Sequence, residues 1–247
     1  FNVINGGTIK NINFENVDIN RPYQNQIATL GFNLKNKGLI EDVKVTGSVT
    51  GNNDVAGIVN KIDEDGKIEN VAFVGKINSV GNNSTVGGIA GSNYMGFVNR
   101  AYVDATITAQ NANASMLVPF VTYMLNSWKS GTKAKVTNSV AKGVLDVKNT
   151  RNVGGIVAKT WPYGAVQDNV TYAKVIKGQE IFASNDVNDE DGGPHIKDLF
   201  GVVGYSSAED GTGKDTKSPK KLKHLTKEEA DKRVEGYKIT ADTFVSE

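Results

Sequence analysis

"STVGGIAGSN", residues 84–93, places three glycines and no charge in ten positions. Its central phrase returns as "VAGIVN" from Val55 and "VGGIVA" from Val153, and more loosely as "IATLGF" from Ile27 and "LFGVVG" from Leu199. A catalytic site is built once, so a phrase written this often is architecture. Within it Val55 and Ile58, Val86 and Ile89, Val153 and Ile156, and Leu199 and Val202 are each three apart. Two inward residues at that spacing need a bend, and glycine serves a bulge or a close backbone approach. A phosphate-cradling loop is the competing reading. The phrase lacks the G-x-G-x-x-G spacing, however, and no Gly-Lys-Ser/Thr follows it.

A second phrase recurs beside the first: "TIKNINF" from Thr8, "LIEDVKV" from Leu39, "KIENVAF" from Lys67, "FVNRAYV" from Phe97, "KVTNSVA" from Lys135 and "AVQDNVT" from Ala165. Its lead apolar residues, Ile9, Ile40, Ile68, Val98, Val136 and Val166, are separated by 31, 28, 30, 38 and 30 positions. Inside a copy, Ile68 is followed by Val71, Phe73, Gly75 and Ile77, a gap of three and then strict alternation. Ile40, Val43, Val45, Gly47 and Val49 repeat it. Alternation is a strand with one buried face. The gap of three demands a corner, and the residue before each strand suits one: Asn11, Asp42, Asn70, Arg100, Asn138 and Asp168. Asn and Asp accept the left-handed backbone, and stacked copies can hydrogen-bond as a ladder.

Each repeat therefore holds two short strands, two corners and a variable loop. One repeat cannot bury its apolar face alone, whereas stacked copies share a continuous core. The expected fold is all-β, a parallel β-helix or solenoid of about six coils, ~30 Å long at ~4.8 Å per coil. It occupies residues 1–205. Residues 206–247 read as a charged linker, "SSAEDGTGKDTKSPKKLK", and the start of a helical segment, with Thr226 as N-cap and Glu229 three positions on. The fourth coil departs: "SMLVPFVTYMLNSWKSG" (115–131) stands in place of the glycine phrase and supplies the eight extra residues.

Composition limits the function. The 247 residues carry 28 basic and 27 acidic side chains, a net charge of +1, so no global field recruits nucleic acid or an anionic membrane. There is no cysteine, which removes thiol nucleophiles, disulfides and thiolate metal sites. No apolar run reaches the roughly 18–20 residues of a membrane span, so membrane insertion is not expected.

No catalytic or metal-binding constellation emerges. His195 and His224 are the two histidines, and neither lies in H-E-x-x-H. In the acidic run 185–193, Asp186, Asn188 and Glu190 alternate, but Asp191 stands where an EF-hand needs glycine. A solvated loop is the plainer reading. The basic run 217–227 has no interleaved aromatics and reads as solvated linker. Loop aromatics remain: Tyr94, Tyr123, Trp128, Trp161 and Tyr163. Solenoid faces are repetitive, so a specific partner must read what breaks the repeat. Tyr123 and Trp128 on the fourth-coil insertion, with Trp161 and Tyr163 one coil away, are the candidate recognition residues. Packing of these rings onto the solenoid is the alternative.

The glycine phrase resembles the GLUG-type repeats of Gram-positive surface proteins. "GGTIKNINFENVDINRPYQNQIATLGFNL" (6–34), followed by "GLIEDVKVTGSVTG" (38–51), resembles the streptococcal IgA1-specific zinc metalloproteases and related surface zinc metalloproteases. The resemblance implies a large secreted or cell-wall-attached endopeptidase that cuts the IgA1 hinge and so aids immune evasion. It places the zinc in an H-E-x-x-H helix far toward the carboxyl end of the parent protein. No position here matches that motif, so no catalytic or zinc-binding residue carries over, and this segment needs no cofactor of its own. It would be a non-catalytic scaffold or substrate-positioning piece, with human IgA1 or the parent's catalytic domain as partner. A free-standing surface adhesin or glycan-binding β-helix is the second reading.

Overall fold

The computed structural model describes residues 1–121, 134–160, 165–177, 182–185, 203–204 and 223–239. The chain winds as a parallel β-solenoid of about five turns. Long strands Thr8–Arg21, Leu39–Gly51, Lys67–Ser79 and Phe97–Ser115 lie side by side, and the last pairs onward with Lys135–Thr137 and Val140–Gly154. The six lead residues are in register: Ile9 faces Ile40, Ile40 faces Ile68, Ile68 faces Val98, Val98 faces Val136, and Val136 faces Val166. These six rungs bound the five turns. A second sheet of seven strands, Val3–Asn5, Gly31–Lys35, Val59–Ile62, Ala90–Asn93, Phe120–Val121, Val157–Thr160 and Phe182–Asn185, closes the coil.

The inward register follows the alternation. Ile40, Val43, Val45 and Val49 are fully buried, as are Ile68, Val71, Phe73 and Ile77 one rung on. Phe73 sits between Val45 and Val103 in its column, so a large ring interleaves with smaller side chains. Coil 1 is more open. Its strand Thr8–Arg21 has one neighbour, and Ile9, Phe14, Val17 and Ile19 are only partly buried against the core.

All six corner residues adopt left-handed backbone: φ is 55° at Asn11, 51° at Asp42, 54° at Asn70, 55° at Arg100, 49° at Asn138 and 51° at Asp168. The amide of Asn70 donates to Asp42 Oδ1 at 2.5 Å, one step of the expected ladder. At the Arg100 rung the ladder shifts by one residue. Asn99 donates to both carboxylate oxygens of Glu69 and accepts from Thr137 and Asn138. An arginine cannot accept, so its neighbour carries the column.

The glycine phrase is explained by proximity. A Cβ on Gly57 would lie 2.1 Å from the Gly88 carbonyl oxygen and 2.7 Å from the Phe73 ring. On Gly88 it would lie 2.1 Å from the Met116 carbonyl oxygen and 2.7 Å from Val103. Each bend presses backbone against the next coil and its core side chains.

The fourth coil corrects the sequence reading. Residues 115–121 do not form an insertion. Ala114 and Ser115 pair with Val86 and Gly87, Gly88 and Ile89 donate to the Met116 and Leu117 carbonyls, and Phe120 and Val121 pair with Ser92 and Asn93. "SMLVPFV" therefore makes the same bend without glycine, with Ser115, Met116 and Leu117 buried. The extra residues of this coil fall between Val121 and Ala134, outside the described residues.

Helix Lys227–Tyr237 forms as its signals predict. Thr226 accepts from the Glu229 amide while the Glu229 carboxylate accepts from the Thr226 amide, a capping box. Val170, Leu225 and Ala230 make a buried apolar cluster between helix and solenoid, joined by Tyr172, Val234 and Tyr237.

Candidate functional site

The outer side of the glycine bend is concave, and stacking turns that concavity into a groove of about 580 Å³ that crosses five coils. One wall is the position just before the buried residue that leads each chain segment into the bend. Asp54 precedes Val55, Thr85 precedes Val86, and Asn113 and Asn152 precede Ala114 and Val153, with neighbouring strands in register. The other wall is the outward position of the second sheet, where Lys61, Ser92, Phe120 and Lys159 pair in succession. Phe32 and Tyr94 add aromatic surface.

Most charge in the groove is answered locally. Asp54 Oδ1 accepts from the Thr85 amide at 3.0 Å and the Thr85 hydroxyl at 2.8 Å. Lys61 pairs with Asp63 at 2.6 Å, and its ammonium lies 4.8 Å from the Tyr94 ring centroid. Asn152 donates to Asn113 across one rung at 2.8 Å.

Asn60 is different. It is 4% exposed, and its Nδ2 donates to two carbonyls, Ile27 at 3.1 Å and Asp54 at 2.5 Å. Two carbonyl partners fix which end of the amide is nitrogen. The oxygen, Asn60 Oδ1, is buried without any partner in a side chain that lines the groove. Buried polar atoms are normally satisfied.

The solenoid's flank carries a second polar cluster at the last corner. Arg233 of the helix pairs with Asp168 at 2.7 Å, the Tyr237 hydroxyl donates to the Asp168 carbonyl, and Tyr172 donates to Asp231 at 2.8 Å. Burial pushes the Tyr237 phenol from its ordinary 10.0 up to about 12, against the pull of the Arg233 cation.

Tyr123, Trp128, Trp161 and Tyr163 lie outside the described residues, as do His195 and the acidic residues 186–191. Of the aromatics singled out from the sequence, Tyr94 is described, and it lines the groove. Phe32, Asn60 and Phe120 were missed. Asn60 did leave a signal: it closes "VAGIVN" where the parallel phrases place Gly91 and Ala158. An amide where its counterparts carry small residues marks a rung that differs.

Among the described residues no group of three or more His, Asp or Glu side chains is placed to hold a metal ion. Those residues do not fit a zinc centre. Among them, too, no helix is long and apolar enough to cross a membrane.

A family model for the M26 IgA1-specific metalloendopeptidase N-terminal region matches residues 1–47. The chain is 50% identical, over its whole length, to the zinc metalloprotease ZmpB of Streptococcus pneumoniae serotype 4, of which it covers 13%. It is 29% identical to zinc metalloprotease ZmpC of the same organism, over 73% of the chain and 10% of that protein. The chain thus spans about an eighth or less of these relatives' length. No solved structure matches it significantly.

Proposed function

The chain belongs, as a partial stretch, to the streptococcal M26-type zinc metalloproteases, and from that premise we propose that it is a β-solenoid scaffold that positions substrate for a catalytic unit elsewhere in a far longer protein. The observation that carries this reading is a division of labour. The relatives are named zinc metalloproteases, yet the chain covers 13% of ZmpB, and its described residues bring no metal-holding cluster together. Zinc and the hydrolytic chemistry belong, on this reading, to another part of the parent protein, on the cell wall or secreted. IgA1, named in the matching family model, is the proposed substrate, and its cleavage would serve immune evasion. A rod of stacked coils suits positioning, because every rung is held by neighbours through shared hydrogen bonds and a continuous core.

The test compares the full-length protease with a variant lacking these residues, on intact IgA1 and on a short hinge peptide. Substrate positioning predicts an unchanged kcat on the peptide and a kcat/KM on IgA1 reduced at least tenfold. Equal losses on both substrates, or none on either, would overturn it.

A further inference from the structure

We propose that helix Lys227–Tyr237 is a fixed joint, which holds the solenoid in one set direction to the chain that follows it in the longer protein. This rests on the scaffold reading for its purpose, and adds the part through which positioning would work.

The first ground is a stripe on the solenoid's outside. Between the buried Val71 and Phe73 the strand turns Ala72 outward, and Tyr102, Val140 and Val170 stand in register with it. All four are at most 5% exposed, although the outward positions of a half-buried strand are normally polar. In coils 2 and 1 the same column holds Lys44 and Asn13. The apolar stripe matches what the helix segment covers: Leu225 and Ala230 bury with Val170, and Ile239 buries with Ala72, Tyr102 and Val140. The chain thus crosses from the last coil back toward the third.

The second ground is that this stretch is held at both ends. Before it, Lys223–His224 pairs in parallel with Val203–Gly204, which lies against Val170–Thr171 of the last coil. After it, Lys238 takes the left-handed backbone at φ 52° and donates to the Glu235 carbonyl, and Ile239 is 1% exposed. Three polar ties fix the middle: Arg233 with Asp168, Tyr237 with the Asp168 carbonyl, and Tyr172 with Asp231. Eleven residues make a marginal helix in water, so the dock and the capping box sustain it together. From Leu225 to Ile239 there are fifteen residues. As a free tether they would span ~20 Å and sample many directions, the usual state of a connection between units. Docked, they deliver the chain at one point on the flank. A scaffold of fixed direction is what turns substrate binding into orientation at a distant catalytic unit.

The experiment applies small-angle X-ray scattering and hydrogen exchange to the full-length protein. Ala230→Arg puts a good helix former at a position that is 0% exposed in the dock, and Val140→Lys attacks the same contact from the solenoid side. Each should strip protection from the amides in 227–237, leave the Lys67–Ser79 strand protected, and lengthen the maximum dimension by ~20 Å. Gly236→Arg, where an added side chain meets nothing within 4 Å, should change none of these. Unchanged scattering with the helix undocked would show that other contacts hold the solenoid. Protection kept in 227–237, or lost from the strand as well, would show that the helix is not a separate joint. Each of these results overturns the proposal. Cleavage separates its failure from that of the scaffold reading: lengthening without at least a tenfold loss of kcat/KM on IgA1 supports the joint and counts against substrate positioning.

Discussion

The two sides of one bend obey opposite rules. On the inner side Val55 and Ile58, Val86 and Ile89, and Val153 and Ile156 are all buried, branched and aliphatic. On the outer side the same coils present Asp54, Thr85 and Asn152 on one wall and Lys61, Ser92 and Lys159 on the other. Packing against an identical neighbour forces repetition, because each coil must fit the coil beneath it and offer the same surface to the coil above. The groove-side residues meet their neighbours only along each wall, through hydrogen bonds such as Asp54 with Thr85, and have no shared core to fill, so they are freer to vary. In a solenoid, repetition therefore marks the core, and its breaks mark what a ligand can read.

The sharpest test of the inner rule is a glycine column. Gly75 has φ of 149°, and a Cβ there would lie 1.9 Å from the Gly47 carbonyl oxygen. Gly75→Val should abolish cooperative folding, a loss above about 4 kcal/mol, read from thermal melts by circular dichroism. At the same rung in coil 4 the chain has Ala105, which lies outside the positive-φ region. Ala105→Gly should cost only about 0.5–1 kcal/mol. Similar effects at the two positions would mean that the column is not held by close approach.

Phe73 comes next. Its ring is fully buried against Gly57 and between Val45 and Val103. Phe73→Ala should destabilise by about 3–5 kcal/mol in urea unfolding. A loss below about 1 kcal/mol would show that the inner side tolerates variation as the groove does.

A smaller effect is expected at a buried amide that serves the fold and not the groove. Asn169 is fully buried, accepts from the Ser139 amide at 3.0 Å and donates to the Val136 carbonyl at 2.9 Å. Asn169→Ala should cost about 1–3 kcal/mol, since it strands two backbone groups. The contrast with Asn60 sharpens the comparison: one buried amide has both ends used, the other has an oxygen to spare.

Much of this was legible because packing writes in period. The alternation Ile68, Val71, Phe73, Ile77 gave the buried face, and the position before each strand gave six left-handed corners, Arg100 included by register, though not those at Gln26, Asp54 or Asp65. Thr226 and Glu229 announced a local helix start. What failed was reading a missing glycine as a missing bend. Ser115 and Met116 make the turn with buried side chains, and no residue-type rule signals that. The groove was illegible for a related reason. Its walls come from residues about thirty apart that share a surface only after stacking, and their variety has no period. The contact of Arg233 with Asp168, 65 residues apart, leaves no trace in composition either.

The smallest effect expected is at that helix contact, and it can be read through pH. Tyr237 is half-buried against the corner at Asp168, and burial raises its phenol to about 12 from 10.0. In the undocked chain the phenol ionises near its ordinary value, while in the docked one it keeps its proton. Between pH 10 and 12 the undocked state therefore binds fewer protons, and the contribution of docking, full below pH 10, declines as pH rises to 12. The Tyr237 ring is partly solvated and Arg233 would soften the new charge, so the loss should be a fraction of the Phe73 effect. Hydrogen exchange of the amides in 227–237, corrected for intrinsic rate, should show protection falling across that window while the Lys67–Ser79 strand stays protected. Tyr237→Phe should remove the pH dependence. Joint loss of protection in helix and strand would mean that the helix is part of the inner, cooperative structure and not an element docked upon it.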